Sequence, residues 1–225
     1  MREMIRGYIT KKIIMAITGL IMFFYLIAHL LGNLTIFKGP SGINAYAMTL
    51  REFGLLLWII RIIMLSAFLL HLTFAIQITI ENKKARPLSY KSKKNLRSTF
   101  ASRNMIWTGI IITLYLVYHL LNFTFPVINP TLSKNIDLLQ RPDIFSMVFM
   151  NFKKSHVYII YAIGLIALAL HLSHGVQSLF QTLGLNNEYT LPVMVRAAIV
   201  VSIILLIGFL SIPTSISTGL LRYKI

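Results

Sequence analysis

Five long apolar stretches constrain this chain more than any other feature of its sequence. Each runs for about 20 residues, and at about 1.5 Å per residue a helix of that length crosses a hydrocarbon core roughly 30 Å thick. Hydrophobic residues make up 56% of the 225 residues and charged residues only 12%, which is more apolar surface than a soluble domain of this size can bury. The sequence therefore predicts an all-α integral membrane bundle.

We place the five spans at about 13–37, 54–80, 104–127, 154–182 and 192–212. Each is apolar on all sides, as a helix in lipid requires. The connections are too short for a separate catalytic domain, so we expect one membrane domain over 1–225. No internal repeat is visible among the spans.

Lysine and arginine predict the orientation of the bundle. The N-terminal segment, the loop 81–103 and the connection after the fourth span carry more of them than the other side, and such residues collect in cytoplasmic loops. We therefore expect a cytoplasmic N-terminus. The net charge of +16 is explained by loops of this kind, so we expect no nucleic-acid partner.

The loop 81–103 contributes most of this bias. Its eight cations are Lys83, Lys84, Arg86, Lys91, Lys93, Lys94, Arg97 and Arg103. Attraction to anionic lipid explains them, and docking of a cytoplasmic partner subunit explains them equally well.

Histidines inside the predicted spans are the residues that point to chemistry. The chain has no cysteine, which excludes disulfides, thiol catalysis and Cys-ligated iron–sulfur clusters. A metal here must therefore use His, Met or oxygen ligands. Histidines occur at positions 29, 71, 119, 156, 171 and 174. All but His156 lie well inside the spans, where polar groups are costly and tend to mark function.

The depths of four of these histidines predict two pairs. His29 and His119 lie about 24 Å and 22 Å along the first and third spans, which both run outward, so they share the outer half. His71 and His171 lie about 26 Å along the second and fourth spans, which both run inward, so they share the inner half. Two His–His pairs at two levels of a helical bundle are typical of two stacked haems b. Iron with both axial positions filled by imidazole transfers electrons and does not bind oxygen.

Several other residues in or near the spans have two possible interpretations each. Depth does not distinguish His171 from His174, which lie one turn apart on one face. His156 lies at the outer interface beside two lysines and is interpreted as a wetted residue, with a quinone or proton role as the alternative. Gly19 and Gly109 each precede an outer histidine by ten residues. They allow close approach either of a flat macrocycle or of a neighbouring helix.

Considered together, these residues resemble the single-subunit, five-helix dihaem cytochrome b of succinate dehydrogenase and fumarate reductase complexes. The resemblance covers nearly the whole chain and is carried by the segments AITGL (16–20), HLLGNL (29–34), ARP (85–87), YHLLN (118–122) and HLSHG (171–175). In that family the ligand of the fourth helix precedes a glycine by four positions, which selects His171 over His174. The resemblance implies that His71 and His171 bind a proximal haem b near the cytoplasm. It implies that His29 and His119 bind a distal haem b.

The resemblance also implies partners for the chain. They are an iron–sulfur subunit docked on the cytoplasmic face, a flavoprotein subunit that interconverts succinate and fumarate, and a quinone near the distal haem, commonly menaquinone in the five-helix group. The chain would then lie in a bacterial cytoplasmic (inner) membrane, surrounded by lipid. It would pass electrons without acting on a dicarboxylate itself.

Two charged residues on the outer side are candidates for quinone chemistry or cofactor binding. Glu52 lies near the start of the second span, and the resemblance implies that a carboxylate in this region can carry the protons of quinol chemistry. An ordinary surface residue is the alternative. Arg61 lies about 15 Å before His71 along the second span and can pair either with a distal-haem propionate or with Glu52.

Two other functions compete with this interpretation. A haem b membrane subunit of another quinone-linked oxidoreductase, such as a hydrogenase or formate dehydrogenase, would use the same bis-His ligation. A transporter or proton channel with a histidine relay would contain no haem. Acidic residues are almost absent from the spans, which counts against a cation or proton pathway.

Overall fold

The chain is built almost entirely from helices. The computed structural model describes residues 2–85, 99–125 and 127–222, with side chains from residue 7 onward. Within these ranges the α-helices are α1 (Arg2–Asn33), α2 (Pro40–Glu52), α3 (Leu55–Lys84), α4 (Phe100–Arg103), α5 (Met105–His119), α6 (Ile144–Phe152), α7 (Ser155–Thr182) and α8 (Leu191–Ser217). Short 3-10 helices cover Leu34–Lys38 and Leu132–Lys134, and a π-helical turn covers Leu120–Thr124.

Five helical segments are long and apolar enough to cross a membrane, which confirms the predicted all-α bundle of five transmembrane helices. They are α1 with its 3-10 turn, α3, α5 with its π turn, α7 and α8. At most 22% of the apolar window of any of them is buried within the chain. Most of their apolar surface is therefore left for lipid or partner subunits.

The observed helices differ from the predicted spans mainly near the third span. That span, expected over 104–127, leaves α-helical geometry after His119 and ends with the π turn at Thr124. Hydrophobicity does not mark this end because Phe125 and Val127, which lie beyond it, are also apolar. The other spans begin and end within a few residues of the prediction, except that α1 begins at Arg2.

Three connections between the predicted spans contain helices that apolar length does not indicate. The connection 38–53 forms α2, the connection 81–103 ends with the short α4, and the connection 128–153 contains α6. Gly39 (φ 78°) and Gly54 (φ 51°) flank α2 with backbone angles that favour glycine. Pro40 begins α2 at the first helical position, where proline is well tolerated.

The packed core lies where α2 and α6 cover one end of the bundle, which we call the capped end; the opposite end is the open end. Its buried residues are Ile36, Ile43, Phe145, Phe149, Phe152, Val157, Tyr161, Ile212 and Ile216. Asn44, fully buried, joins α2 to this core. Its Nδ2 donates to Asp137 and Asp143 at 3.2 Å each, and its Oδ1 accepts from the Phe145 N–H at 2.9 Å.

The helix pairs α1–α3 and α5–α7 are related by an internal repeat, so the expectation of no repeat is wrong. Identical residues of α1 and α5 occur at an offset of 90: Thr18/Thr108, Gly19/Gly109, Tyr25/Tyr115 and His29/His119. Identical residues of α3 and α7 occur at an offset of 100: Ala67/Ala167, His71/His171 and Gln77/Gln177. The two offsets differ, so no single period marks the repeat. In space, α1 packs on α3 and α5 packs on α7, while α8 packs on α7 without a counterpart.

Candidate metal centres

The structure brings the four histidines together in two pairs. The ring centroids of His29 and His119 lie 5.9 Å apart, and those of His71 and His171 lie 6.3 Å apart. Each pair joins one helix of the first repeat unit to the equivalent helix of the second, α1 with α5 and α3 with α7. The pairs therefore lie on the boundary between the two units.

The separations fit one metal ion between the two rings of each pair. An imidazole nitrogen binds a metal at about 2.0–2.1 Å and lies about 1.1 Å from its ring centre, so two rings on opposite sides of one ion have centres about 6.3 Å apart. The described residues contain no cluster of three or more His, Cys, Asp or Glu side chains suited to a metal ion. Two imidazoles without further protein ligands fit a haem, because its porphyrin supplies four nitrogen ligands itself.

Threonines from the neighbouring helices orient the inner pair. Thr18 Oγ1 lies 3.3 Å from His71 Nδ1, and Thr108 Oγ1 lies 3.1 Å from His171 Nδ1. Both hydroxyls donate their own protons to backbone carbonyls of their helices, so their lone pairs accept from histidine. We assign the ring proton to Nδ1 on this network. Nε2 is then the unprotonated nitrogen that is available to a metal.

His71 has a further partner that has no counterpart at His171 among the described residues. The carbonyl oxygen of Met15 lies 3.0 Å from His71 Nδ1. A carbonyl only accepts hydrogen bonds, so this contact independently places the ring proton on Nδ1. The orientation of His71 is therefore held by two groups of α1.

Two glycines lie against the rings of the inner pair. A Cβ atom added to Gly19 would meet His71 Cε1 at 3.3 Å, and one added to Gly109 would meet His171 Cε1 at 3.8 Å. In the described protein these glycines thus allow a histidine of the neighbouring helix to approach closely. Gly19 marks the level of the inner pair on α1, and His29 follows ten residues later. The two pairs are therefore about 15 Å apart along the bundle.

The two histidines of the outer pair, His119 and His29, have different neighbours. His119 Nδ1 lies 3.0 Å from the Tyr161 hydroxyl of α7. The ring of Tyr25 stacks on His29 with centroids 5.6 Å apart, but no hydrogen bond to the His29 ring occurs among the described residues. The repeat places Arg61 of α3 where α7 has Tyr161. The repeat is therefore broken beside His29.

The other candidate residues lie as follows. Glu52, the last residue of α2, is exposed, and His156 is exposed near the start of α7. Arg61 lies over the ring of Trp58, 4.9 Å from its centroid. Within the described part of the chain the ion pairs are Lys11–Glu81 and Arg141–Asp137. The alternative pairing of Arg61 with Glu52 is therefore not formed.

The basic loop 81–103 lies only partly within the described residues. Lys83, Lys84 and Arg103 are exposed at the open end. Arg86, Lys91, Lys93, Lys94 and Arg97, together with the ARP segment beyond Ala85, lie outside the described residues.

Sequence reasoning missed three side chains that bind the histidine rings. Thr18 and Thr108 each precede a glycine, and this repeated Thr-Gly pair ten residues before a histidine was the available signal. Tyr161 has no comparable signal, because tyrosines are frequent in these helices and interfacial belts explain most of them.

Comparisons with known proteins identify the family independently of this geometry. The family described as succinate dehydrogenase/fumarate reductase transmembrane subunit matches residues 81–206, more than half of the chain. The match includes α5 and α7, and therefore one histidine of each pair. Comparison with curated proteins and with solved structures gives no match. The chain belongs to the succinate dehydrogenase/fumarate reductase transmembrane subunit family.

Proposed function

We propose that this chain is a dihaem cytochrome b that passes electrons between an iron–sulfur subunit and a membrane quinone. His71 and His171 bind the proximal haem b, and His29 and His119 bind the distal haem b. The observation that carries the proposal is the pair of centroid distances, 6.3 Å and 5.9 Å, at two levels of one bundle. Haem b supplies an iron that accepts and returns one electron.

His71 with His171, and His29 with His119, would hold one haem b each. Thr18, Thr108 and Tyr161 hold the Nδ1 side of three of the four rings, which directs Nε2 into the space between the helices. Orientation by such outer hydrogen bonds raises the basicity of the ligand nitrogen and fixes the ring plane. A haem held between two imidazoles would supply electron transfer rather than oxygen binding.

The direction of the chain in the membrane belongs to the same proposal. A cytoplasmic N-terminus places the open end, with its lysines and arginines, in the cytoplasm of a bacterial inner membrane. The iron–sulfur subunit then docks near the proximal haem, and the flavoprotein subunit on it carries the dicarboxylate chemistry. A quinone, menaquinone in the first instance, reacts near the distal haem at the capped end, where exposed Glu52 carries its protons.

A spectrum of the purified native complex tests the proposal. We expect about two haems b for each copy of this chain in a reduced-minus-oxidised spectrum, together with a flavin-containing subunit. Absence of haem would exclude the proposal and favour a transporter. Two haems with a hydrogenase or formate dehydrogenase subunit would assign the chain to another quinone-linked complex.

Substitution of the two histidines of α7 tests the choice of ligand. His171→Ala should lose one haem b, because it removes a ligand whose ring faces His71. His174→Ala should retain both haems in pyridine haemochrome quantification. Retention of two haems in His171→Ala would show that the assigned ligand is wrong.

A further inference from the structure

Two buried side-chain nitrogens have no hydrogen-bond partner among the described residues. They are Asn122 Nδ2 and His174 Nδ1. Burying a polar nitrogen without an acceptor costs free energy, and native proteins contain few such groups. Asn122 is 1% exposed, so bulk water does not satisfy it. Asn122 Nδ2 is a donor, and His174 Nδ1 is a donor in one of the two neutral tautomers, the one considered below. Neither nitrogen has an acceptor in hydrogen-bond geometry among the described residues.

The two nitrogens occupy matching places relative to the two histidine pairs. Asn122 follows His119 by three residues, and His174 follows His171 by three residues. Position +3 after His29 is Gly32, and position +3 after His71 is Phe74. Each pair thus has one unpartnered nitrogen at this position, and both belong to the second repeat unit. Each of the two nitrogens is therefore associated with one of the two histidine pairs.

Both nitrogens lie between their pair and the nearer membrane surface. The α5 segment runs toward the capped end, so Asn122 is about 4.5 Å closer to that surface than His119. Helix α7 runs toward the open end, so His174 is about 4.5 Å closer to that opposite surface than His171. An acceptor that pairs with them must therefore extend from each centre toward its own surface.

The orientation of the Asn122 amide is fixed by its other atom. Its Oδ1 accepts from Asn129 Nδ2 at 3.4 Å. Asn129 is itself held by Asn151 Oδ1 at 2.8 Å and by Lys154 Nζ at 2.8 Å. Asn122 Nδ2 points away from this network toward the Tyr161 hydroxyl. That hydroxyl is close enough to interact electrostatically with the Asn122 side chain, but it lies outside hydrogen-bond geometry and is already paired with His119 Nδ1 at 3.0 Å. His174 likewise lies beside His171.

A haem b presents a matching acceptor. It carries two propionate groups on one edge, and carboxylates inside hydrocarbon are costly, so this edge favours the side of the nearer surface. Given the proposed dihaem function, on which this inference rests, we propose that Asn122 Nδ2 donates a hydrogen bond to a propionate of the distal haem. His174 Nδ1 donates to a propionate of the proximal haem. Both are positioning residues, and neither is an iron ligand.

The two donors act on the reduction potential of one haem each. A negative propionate stabilises ferric iron over ferrous iron, and a hydrogen bond to it reduces this effect by dispersing the charge. Removing the donor should therefore lower the potential of that haem. We expect the equilibrium constant for reduction to fall by up to about tenfold, which is about 59 mV for a one-electron couple.

Potentiometric titration of the purified complex at pH 8 tests the proposal. Asn122→Leu should lower the potential of the distal haem alone, and His174→Leu that of the proximal haem alone. The single-haem variants His29→Ala and His171→Ala assign the two potentials. His156→Leu on α7 and Asn104→Leu beside α5 are the matched controls and should change neither. The variants His174→Asn and Asn122→His restore a donor and should recover most of the shift.

The outcomes separate this inference from the proposed function. Wild-type complex without haem would overturn both. Two haems with potentials that neither leucine variant changes, or that both variants lower equally, would overturn this inference alone. A change in quinone affinity of Asn122→Leu with an unchanged distal potential would overturn the assignment of Asn122 to a propionate.

If a leucine variant loses its haem, its potential cannot be measured. Infrared spectroscopy of the variants that keep a donor then tests the same hydrogen bonds. Redox difference spectra with haem isotopically labelled at the propionates report the carboxylate band directly. His174→Asn and Asn122→His should each shift that band of one haem, since the donor atom and its geometry change. An unshifted band in both variants would contradict the proposed hydrogen bonds.

Discussion

The two histidines of the inner pair differ in how firmly their rings are held, and this difference leads to a prediction. His171 Nδ1 has Thr108 as its hydrogen-bond partner, whereas His71 Nδ1 has both Thr18 and the Met15 carbonyl. Loss of such an outer partner commonly costs about 10–100-fold in metal affinity. We therefore expect Thr108→Val to reduce retention of the proximal haem about tenfold, and Thr18→Val to reduce it much less.

Haem content after purification in detergent measures this difference. Thr108→Ser and Thr18→Ser serve as controls, because each keeps the hydroxyl and should retain haem as the wild type does. Equal losses in both valine variants would show that the Met15 carbonyl does not support His71.

Asp137, in the connection before α6, provides a pH-dependent contribution to stability. The Arg141 side chain, with Nε donating at 2.8 Å, holds the pKa of Asp137 well below its ordinary value, and the backbone N–H groups of Arg141 and Leu139 add to this. A carboxyl with a lowered native pKa stabilises the fold above its unfolded-state pKa of about 3.9. This contribution is lost as the pH falls through the native pKa.

We therefore expect Asp137→Asn to lower the thermal stability of the protein at pH 5–7 by a constant amount. Below about pH 4 the difference from the wild type should narrow, because the Asp137 carboxylate then binds a proton in the unfolded state before it does so in the folded state. Thermal unfolding in detergent across this pH range measures it. A difference that is as large at pH 3 as at pH 7 would contradict a role for the ionised carboxylate.

Helices α5 and α7 are joined by a contact that leaves no room for a side chain at Gly164. A Cβ atom there would lie 2.3 Å from Tyr115 Cγ, so the ring of Tyr115 must move. Overpacking of this kind costs about 1–3 kcal/mol. We expect Gly164→Ala to lower the free energy of unfolding by that amount and to disturb the outer pair, since Tyr115 packs on both His119 and Tyr161.

Gly208 on α8 provides the comparison for Gly164. An added Cβ there meets Leu30 Cδ2 at 2.7 Å, which is the end of a flexible side chain and can rotate away. Gly208→Ala should therefore cost less than Gly164→Ala in denaturant titrations. The reverse order would show that helix packing at α8 is the more rigid of the two.

At the scale of the helices, the sequence predicted those positions and lengths that hydrophobicity alone determines. Apolar length located the five spans, and the rise per residue assigned His29 with His119 and His71 with His171 to common levels. Helices α2 and α6 were not predicted, because they are short and their stability depends on contacts such as those of Asn44 rather than on apolar length. The π turn after His119 has no apolar signature.

Recognition of the repeat required knowledge of which helices pack together. The offsets of 90 for α1/α5 and 100 for α3/α7 differ because the connections differ in length. The role of Thr18 and Thr108 is recognised only from the structure, where each hydroxyl lies beside a histidine ring of the neighbouring helix. The spacing of residues along the sequence does not predict these contacts.

At the scale of the whole molecule, α3 is the transmembrane helix whose apolar window is least buried within the described part of the chain, at 6%. It packs mainly on α1, whereas α7 packs on α5, α8 and α1. In the proposed function the proximal haem joins α3 to α7 through His71 and His171. We expect chain produced without haem to show faster amide hydrogen exchange in Leu55–Lys84 than haem-loaded chain.

Mass spectrometry of the two preparations in the same detergent measures this difference. Exchange in α8 should be unchanged and is the internal control, because its neighbour α7 is held by other helices. Equal protection of α3 with and without haem would show that the haem does not join the two repeat units.

The ten-residue separation of Gly19 and His29 along α1 sets a distance that matters for electron transfer. A lipid core roughly 30 Å thick is an insulator, and the probability of electron tunnelling falls steeply with distance. In the proposed function, redox centres at two levels about 15 Å apart would divide this barrier into short hops. Since the spacing is set by the rise of a continuous helix, the protein would not need to move for charge to cross the bilayer.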